Sequence, residues 1–336
     1  RRDPESRQSS QPSAIRAEWA TVVAFWILLW LPLAAMLVRP RATVSENEQR
    51  LLAPAPSVGA DWASFAQLPA RLEDWYDDHL GFRTQLIRLY SLLEIRLFAS
   101  SSSDLLVVGK QDWLFFGDAD SIAIYRGVAQ MDEAGLQHWQ RVLEERRDWL
   151  SQRGIAFLLV LVPDKDLVYP EYMPDRLPRV AERNPLTQLS EHMAAHSSVE
   201  VLDLSSTLAE AKQRERVYHR TDTHWNDVGA YAAYQAILAR LSRRLPALAQ
   251  AVPAPVRSTQ RTTPGLGLAS IVGLARFFPE EVVELHPSEP RARVKPEHRS
   301  DYDERLRRMQ PIALGAEDSS LPRAVVFRDS FANALV

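Results

Sequence analysis

The sequence contains no cysteine among its 336 residues. Disulfide bonds and cysteine-ligated metal sites are therefore excluded, and the absence fits a cytosolic and an exported protein equally. An excess of one charge is lacking too, because 40 Lys and Arg residues oppose 43 Asp and Glu residues, for a net charge of −3. No Lys/Arg run with interleaved aromatic residues occurs. We therefore expect no nucleic-acid partner.

One long apolar run lies near the beginning of the chain. Residues 19–38, WATVVAFWILLWLPLAAMLV, carry no charge and match the roughly 20 residues that a helix needs to cross a bilayer core. Trp19 would lie at the membrane interface, and Pro32 is tolerated in a membrane helix. A cleaved signal peptide and a buried soluble helix are the alternatives. The pattern predicts a cytoplasmic arm over 1–18 and a transmembrane helix over 19–38.

The rest of the chain divides by composition into two parts. Residues 39–103 are predicted to be a linker and a helical region, in which the helical period over 68–98 is interrupted at Gly81. Residues 104–336 are predicted to form the main folded domain. The sequence starts without methionine and stops within an apolar segment, so we expect a truncated C-terminal end.

Residues 104–336 show the pattern of an α/β protein. A turn signal between two apolar runs predicts a β-hairpin over 104–117. Amphipathic helices then alternate with apolar runs of strand length, which predicts an α/β sandwich with a mostly parallel sheet. Helices are predicted over 131–153, 185–196 and 228–245, and buried strands over 155–163, 199–204 and 324–327.

The segment TDTHWND places an acid and an imidazole two residues apart. If the segment is extended, Asp222 and His224 share one face, and a carboxylate beside an imidazole can fix its tautomer and stabilise its charged form. Asn226 or Asp227 would cap the following helix. Capping does not explain why Asp222, His224 and Trp225 occur together.

A metal site is the alternative interpretation of this pair. No H-E-x-x-H motif and no second histidine cluster accompanies it. His192 and His196 have helical spacing, but Met193 and Ala194 between them lack the general-base glutamate of a zinc protease. An exposed helix face is the expected environment of these two histidines, and we predict no metal.

The segment AVVFRDSFANAL supplies a nucleophile. The predicted strand 324–327 runs into Ser330, and a helix-like stretch follows. Ser330 would therefore lie at the carboxyl edge of the sheet, where active sites of open α/β sheets form, and the helix start would offer N–H groups to an oxyanion. A serine after an aspartate is also a common helix cap. With Asp222 and His224 it completes a Ser-His-Asp relay, for which chain order is unimportant.

Several sequence blocks resemble one known family. TDTHWN followed by GAYAAYQAI, and later FRDSF, resemble the alginate O-acetyltransferases of the AlgJ/AlgX type. ENEQRLLAPAP, YDDHLGFR, VVGKQDWLFFG and VPDKDLVYPEYMP look like the successive blocks of that family. The resemblance implies an SGNH-hydrolase-like three-layer sandwich with a circularly permuted triad. It also implies that Ser330 carries the acetyl group, that His224 is the base and that Asp222 orients it.

The resemblance further implies a function and a compartment. The family acetylates polysaccharide hydroxyls in the periplasm, and its anchored form works beside an integral membrane O-acyltransferase that delivers acetyl. We therefore expect a single-pass protein of a bacterial inner membrane that acts on an alginate-like exopolysaccharide, without a bound cofactor. A polysaccharide acetyl esterase and a non-catalytic scaffold of a polysaccharide export or acetylation complex are the alternatives.

Four residues are candidates for substrate contact. Lys165 could meet a uronate carboxylate or be a solvated lysine. Arg328 could pair with Asp329 or help to bind an anionic ligand. Trp225 could stack on a sugar ring or pack in the core, and Asn226 is the fourth candidate.

The sequence departs from the family pattern at two positions. Asp164 precedes the lysine where the family usually has asparagine, and Gly267 stands where aspartate or another polar residue is expected. Both departures concern substrate contacts more than the relay.

Overall fold

The computed structural model describes residues 12–38, 43–45, 50–57, 61–248, 256–288, 292–294, 314–316 and 321–335. The contacts divide the chain into two compact units, Arg1–Leu93 and Glu94–Val336. The arm predicted over 1–18 lies largely outside the described residues. The predicted domain limits stay predictions.

The first unit begins with helix α1, Pro12–Val38. Its segment Glu18–Met36 has a mean hydropathy of 1.9 and is long and apolar enough to cross a membrane by length and composition. None of this segment is buried against the protein, whereas a core helix of a soluble protein would be mostly buried. A signal sequence would meet the same criterion.

The remainder of the first unit is short strands and helices. The helical period predicted over 68–98 is confirmed, and so is the break at Gly81, where a Cβ atom would lie 2.3 Å from the Pro32 carbonyl oxygen. The elements are an antiparallel pair, β1 Val44–Ser45 and β2 Arg50–Leu51, then α2 Trp62–Ala66, α3 Leu68–His79 and α4 Arg83–Phe98, which runs into the second unit.

The second unit opens with the predicted β-hairpin, which is confirmed. Strands β3 Leu106–Val108 and β4 Leu114–Phe116 pair antiparallel. The turn between them carries Gln111 at a φ of 54°. Leu114 and Phe115 are buried, so the hairpin forms one wall of the core.

An α/β arrangement follows, as predicted. Strand β5 Leu159–Leu161 lies parallel to β6 Val201–Asp203. Side-chain oxygens cap several helices, with Asp118, Asp132 and Asn184 each accepting a main-chain N–H from the first turn. The helices are α5 Ala119–Arg126, α6 Glu133–Ser151, α7 Lys165–Val168, α8 Pro185–His196, α9 Ser205–Lys212, α10 Asp227–Ser242 and α11 Gly267–Ile271.

A long hairpin then packs beside the core. Strand β7 Val256–Thr263 pairs antiparallel with β8 Glu280–Pro287, and β9 Ala292–Val294 pairs with β10 Leu314–Ala316. Short 3-10 turns lie at Lys110–Asp112, Pro170–Tyr172, Pro246–Leu248, Ala275–Phe277 and Phe331–Leu335.

Two details of the predicted sheet need correction. Within the described residues, β5–β6 is the one parallel pair, and the other paired strands are antiparallel. The segment 324–327 forms no ladder there, and Val325, Val326 and Phe327 are 84, 69 and 97% exposed. An apolar run becomes a strand only where another strand satisfies its N–H and C=O groups. The helix expected after Ser330 is a 3-10 turn.

The core lies between the hairpin, β6 and helices α9 and α10. Its buried aromatic side chains include Trp113, Phe115, Tyr169, Tyr218 and Trp225. Trp113 stacks on the ring of Tyr172 with centroids 4.5 Å apart. Each such side chain contributes about 1.5–3 kcal/mol when it is fully buried, which anchors the chain on both sides of the TDTHW motif. A second cluster joins α6 to α8 through Leu143 and Met193.

Candidate active site

The segment Tyr218–Trp225, called the histidine loop below, doubles back between two buried aromatic residues. Tyr218 pairs with Trp225 as an antiparallel bridge, and the His219 N–H donates to the His224 carbonyl at 3.2 Å. The buried Tyr218 hydroxyl donates to the Pro163 carbonyl oxygen, directly after β5. The loop is therefore fixed at the carboxyl edge of the parallel strands.

Asp222 and His224 meet within this loop. The Asp222 Oδ1 lies 2.6 Å from His224 Nδ1 and also accepts the His224 main-chain N–H at 3.0 Å. The second contact closes a tight side-chain turn. Proximity of the two groups thus arises from a turn and not from the extended backbone that the sequence pattern suggested.

Hydrogen bonds keep the Asp222 carboxylate charged. Burial opposes its ionisation, but bonds from the His224 ring and main chain and from the Gly267 N–H hold the pKa of Asp222 well below its usual range. The Gly267 N–H donates to Oδ2 at 2.9 Å. A charged Asp222 beside Nδ1 favours the tautomer that carries the proton there, so that Nε2 is left as an acceptor.

Ser330 lies on the other side of the imidazole. Its Oγ is 2.8 Å from His224 Nε2. The structure thus brings Ser330, His224 and Asp222 into one hydrogen-bonded line, although 106 residues separate the serine from the histidine. Their catalytic roles stay a prediction.

Residues 321–335, called the serine segment below, contact the core around Phe331. The Trp225 Nε1–H donates to the Phe331 carbonyl at 2.9 Å. The Phe331 ring packs against His224, with centroids 5.0 Å apart, and edge-on against Trp225. The Arg328 guanidinium donates to the Asn333 side chain across the turn. Residues Pro322–Phe327 are exposed.

Three of the four candidate substrate contacts, Lys165, Trp225 and Asn226, are buried. Their prediction as substrate contacts is therefore corrected. Trp225 is 2% exposed, and its indole supports the serine segment. Asn226 caps α10 by accepting the Gly229 N–H at 3.1 Å, and it donates to the Arg216 carbonyl at 2.7 Å. Lys165 is 4% exposed, so its ammonium is neither solvated nor placed to meet a uronate. Arg328 is partly buried and bonds within its own segment.

Lys165 reaches beneath the histidine loop. Its Nζ donates to the carbonyls of His219, Arg220 and Asp222 at 3.1, 3.2 and 2.5 Å, and to that of Leu114 in β4. Burial lowers the pKa of Lys165 to about 7, and the Asp222 and Glu280 carboxylates oppose this shift.

Glu280, at the start of β8, was not predicted as a site residue. It is 0% exposed and accepts the Arg220 and Thr221 N–H groups at 2.6 and 3.0 Å, together with the Thr221 hydroxyl. Burial opposes its ionisation, but the His219 ring and these donors lower the pKa of Glu280 to about 2. The available signal was an acid beside the short apolar run in EEVVEL.

Further carboxylates surround the start of α7. Asp164 keeps an exposed surface, yet desolvation by the surrounding protein raises its pKa, and the charges of Asp118 and Asp329 add to this. Burial and the charge of Asp164 raise the pKa of Asp166 to about 7. The Asp166 Oδ1 is buried without a hydrogen-bond partner. The family departure at Asp164 therefore places an acid in a negatively charged environment.

Gly267 packs directly against the acid of the relay. A Cβ atom at this position would lie 2.5 Å from Asp222 Oδ2. Only the absence of a side chain lets the Gly267 N–H approach the carboxylate. The second family departure is therefore part of the environment of Asp222.

This α/β core with a hydrogen-bonded Ser–His–Asp line has the layout of serine-dependent acyl-transfer proteins. A family model described as "SGNH hydrolase-like domain, acetyltransferase AlgX" matches residues 106–306. The chain therefore belongs to this family of SGNH hydrolase-like acetyltransferase domains, which confirms the resemblance and the fold class.

Three named proteins are similar to parts of this chain. The probable alginate O-acetylase AlgJ of Pseudomonas syringae pv. tomato is 32% identical over 52% of this chain and 42% of its own length. The protein of the same name from Pseudomonas aeruginosa is 28% identical over the same shares. The solved O-acetyltransferase domain of Pseudomonas putida AlgJ is 27% identical, with a TM-score of 0.40, over 55% of this chain and 66% of that one. The chain spans about half the length of these curated relatives.

Proposed function

We propose that this chain is a membrane-anchored O-acetyltransferase that transfers acetyl to a polysaccharide hydroxyl through an acetyl-serine intermediate. The observation that carries the proposal is the pair of distances along the relay, 2.8 Å from Ser330 Oγ to His224 Nε2 and 2.6 Å from His224 Nδ1 to Asp222 Oδ1. Both lie within hydrogen-bond range.

The first step transfers acetyl to the enzyme. Ser330 Oγ attacks the acetyl carbonyl of the donor while His224 Nε2 takes the hydroxyl proton. The bond between the acetyl group and the donor then breaks, and the leaving group departs with the proton from His224. The charged Asp222 stabilises the imidazolium form between these events.

The second step transfers acetyl to the acceptor. A sugar hydroxyl gives its proton to His224 as its oxygen attacks the ester carbonyl. The bond between the acyl carbon and Ser330 Oγ breaks, and the serine regains its proton from His224. The product is an acetylated sugar, and the enzyme returns to its starting state without a bound cofactor.

The proposed location and partners are supported by the apolar helix α1 and by the names of the relatives. The apolar helix would anchor the chain in a bacterial inner membrane, with the catalytic domain in the periplasm. There an integral membrane O-acyltransferase would supply acetyl from the other side of the bilayer. Because the relatives are named alginate O-acetylases, we propose an alginate-like exopolysaccharide as the acceptor.

The test uses the full chain in detergent with a chromogenic acetyl ester as donor and a uronate oligomer as acceptor. We expect acetyl on the oligomer and, after rapid quenching, one acetyl group on the peptide that contains Ser330. Ser330→Ala should abolish both signals, whereas Ser151→Ala, at an exposed serine that ends α6, should keep them. An undiminished rate in Ser330→Ala would refute the assignment of the nucleophile.

A polysaccharide acetyl esterase is the second candidate function. The exposed position of Ser330 favours it, because water can reach an acyl-serine there. Comparing acetate release with acetyl transfer in the same assay separates the two functions. The relay distances count against a non-catalytic scaffold, for which we would expect these groups to lie apart.

A further inference from the structure

The main-chain carbonyl groups of the segment that carries Asp222 bind one buried side chain, Lys165. The ammonium of Lys165 contacts three of the four consecutive carbonyls from His219 to Asp222, at 2.5 to 3.2 Å. Its fourth contact is the Leu114 carbonyl in the hairpin. An ammonium has three N–H donors and no acceptor, so the four carbonyl oxygens share these three N–H groups.

The main-chain N–H groups of the same segment bind one buried carboxylate, Glu280. The Glu280 carboxylate accepts the N–H groups of Arg220 and Thr221 at 2.6 and 3.0 Å, and the Thr221 hydroxyl. That hydroxyl oxygen also accepts the Leu266 N–H at 2.9 Å, next to the glycine that contacts Asp222. The cation comes from the start of α7 and the anion from the start of β8, so two distant elements meet on one loop.

We propose that Lys165 and Glu280 are positioning residues that clamp residues 219–222 from opposite sides and thereby aim the Asp222 carboxylate at His224. When Lys165 is protonated, the bonds that it and Glu280 make to the loop are charge-assisted, and such hydrogen bonds are about twice as strong as neutral ones. Lys165 binds the main-chain carbonyl of the residue whose side chain orients the imidazole, so a shift of the clamp moves the acid directly. Misplacement of a catalytic group by about 1 Å can lower a rate by roughly 100-fold.

The inference rests on the proposed function, in which His224 acts as the base. Neither clamp residue contacts Ser330 or His224 through a hydrogen bond, so neither takes part in proton transfer. Their effect should therefore appear in turnover and in the Asp222–His224 hydrogen bond, and not in the affinity for a small ester.

The first experiment compares Lys165→Met with Lys212→Met in the full chain. Lys212 is a matched control, because its Nζ donates to the Val168 carbonyl at 2.7 Å, pairs with Glu171 at 2.7 Å and lies 4.4 Å from the centre of the Tyr169 ring. We expect Lys165→Met to lower kcat for the chromogenic ester about 100-fold with KM changed by less than about threefold. Lys212→Met should keep kcat within about threefold.

The second readout is the downfield proton resonance of the His224 Nδ1–H that bonds Asp222. It should be lost or moved upfield in Lys165→Met and unchanged in Lys212→Met. If Lys165→Met stays folded and keeps both the parental kcat and this resonance, the clamp is refuted.

A milder pair of variants covers the case in which Lys165→Met fails to fold. Glu280→Gln keeps one acceptor oxygen for the loop amides, whereas Glu280→Leu keeps none. We expect Glu280→Gln to retain the resonance and part of kcat, and Glu280→Leu to lose more of both. Equal parental behaviour of the two folded variants would overturn the role of Glu280.

The failures of the two proposals are distinguishable. If the parent chain shows no turnover that Ser330→Ala removes, the proposed function fails. The resonance of His224 in the resting protein then still decides whether Lys165 and Glu280 position Asp222.

Discussion

The histidine loop and the serine segment supply the same relay but are built differently. No residue of the histidine loop is exposed, and a buried cation and a buried anion hold its main chain. In the serine segment, Pro322–Phe327 and Ser330 are exposed, and the Trp225 indole tethers the turn that follows. The difference teaches that the acid–base half is preorganised by the core, whereas the nucleophile is located through its neighbour Phe331, which the Trp225 indole bonds and the Tyr218, His224 and Trp225 rings pack against. Substitutions can therefore test separately the chemistry of the relay, the stability of the core and the hydrogen bond from Trp225 to the serine segment.

The largest effect is expected from Asp222→Asn, which tests the chemistry of the buried half. The amide keeps the shape but loses the charge that favours the Nδ1–H tautomer, so kcat for the chromogenic ester should fall roughly 10³- to 10⁴-fold. Asp203→Asn is the matched control, because Asp203 makes a similar side-chain turn with the Ser205 N–H and should keep the parental rate. A parental rate in Asp222→Asn would remove this carboxylate from the mechanism.

Asp166→Asn tests how the free energy of unfolding depends on pH through one buried carboxyl group. The folded pKa of about 7 lies above the ordinary value of 3.8, so the folded state binds more protons between these limits. The contribution of Asp166 to the free energy of unfolding is then fully present below about pH 4 and is lost as the pH rises through about 7. An uncharged amide should raise the free energy of unfolding at pH 8 by roughly 4 kcal/mol and change little at pH 4.

Denaturant titrations at the two pH values measure this effect. Glu145→Gln, an exposed acid on α6, is the control and should shift neither value. Equal stability of the Asp166→Asn and parent proteins at pH 8 would contradict the raised pKa.

Trp225→Phe tests the tether between the two halves. The ring packing is largely kept, but the N–H donor to the Phe331 carbonyl is removed. A hydrogen bond contributes about 1 kcal/mol net, so we expect kcat to fall about fivefold, measured with the same ester. Trp139→Phe on the surface of α6 should leave the rate unchanged. If Trp225→Phe behaves like Trp139→Phe, the serine segment is located by other contacts.

The smallest effect is expected from Phe327→Ser in the serine segment. This side chain is 97% exposed, so the free energy of unfolding should change by less than about 0.5 kcal/mol. Leu202→Ala in β6, where the leucine is 8% exposed, should by contrast cost about 2–5 kcal/mol. Thermal unfolding of both variants measures the contrast. A large loss in Phe327→Ser would mean that residues 324–327 pack as the predicted strand after all.

Much of the α/β pattern could be predicted because local signals agree with tertiary packing. Helix α8 has the predicted bounds, with Asn184 and Pro185 marking its start. The hairpin β3–β4 followed from its turn residues. The long hairpin β7–β8 gave no such signal, because VRSTQRTT is exposed along most of its length and shows no clear apolar period.

The three residues of the relay could be predicted from the sequence, but the buried side chains that hold the histidine loop could not. Asp222 and His224 are two residues apart, so any compact turn brings them together, and Ser330 was found through its flanking segment. Lys165 and Glu280 lie 115 residues apart in sequence, and their convergence depends on the packing of α7 and β8. A sequence pattern therefore suggested a surface lysine where the fold buries one.

Gly267 has a consequence for interpreting other sequences. Because any side chain there would collide with the Asp222 carboxylate, the residue at this position can serve as a diagnostic marker. A chain that carries glycine here permits the geometry described above. A chain with a bulkier residue must orient its acid differently, even if Asp, His and Ser are all present. Genome surveys could thus sort family members by one small residue outside the relay.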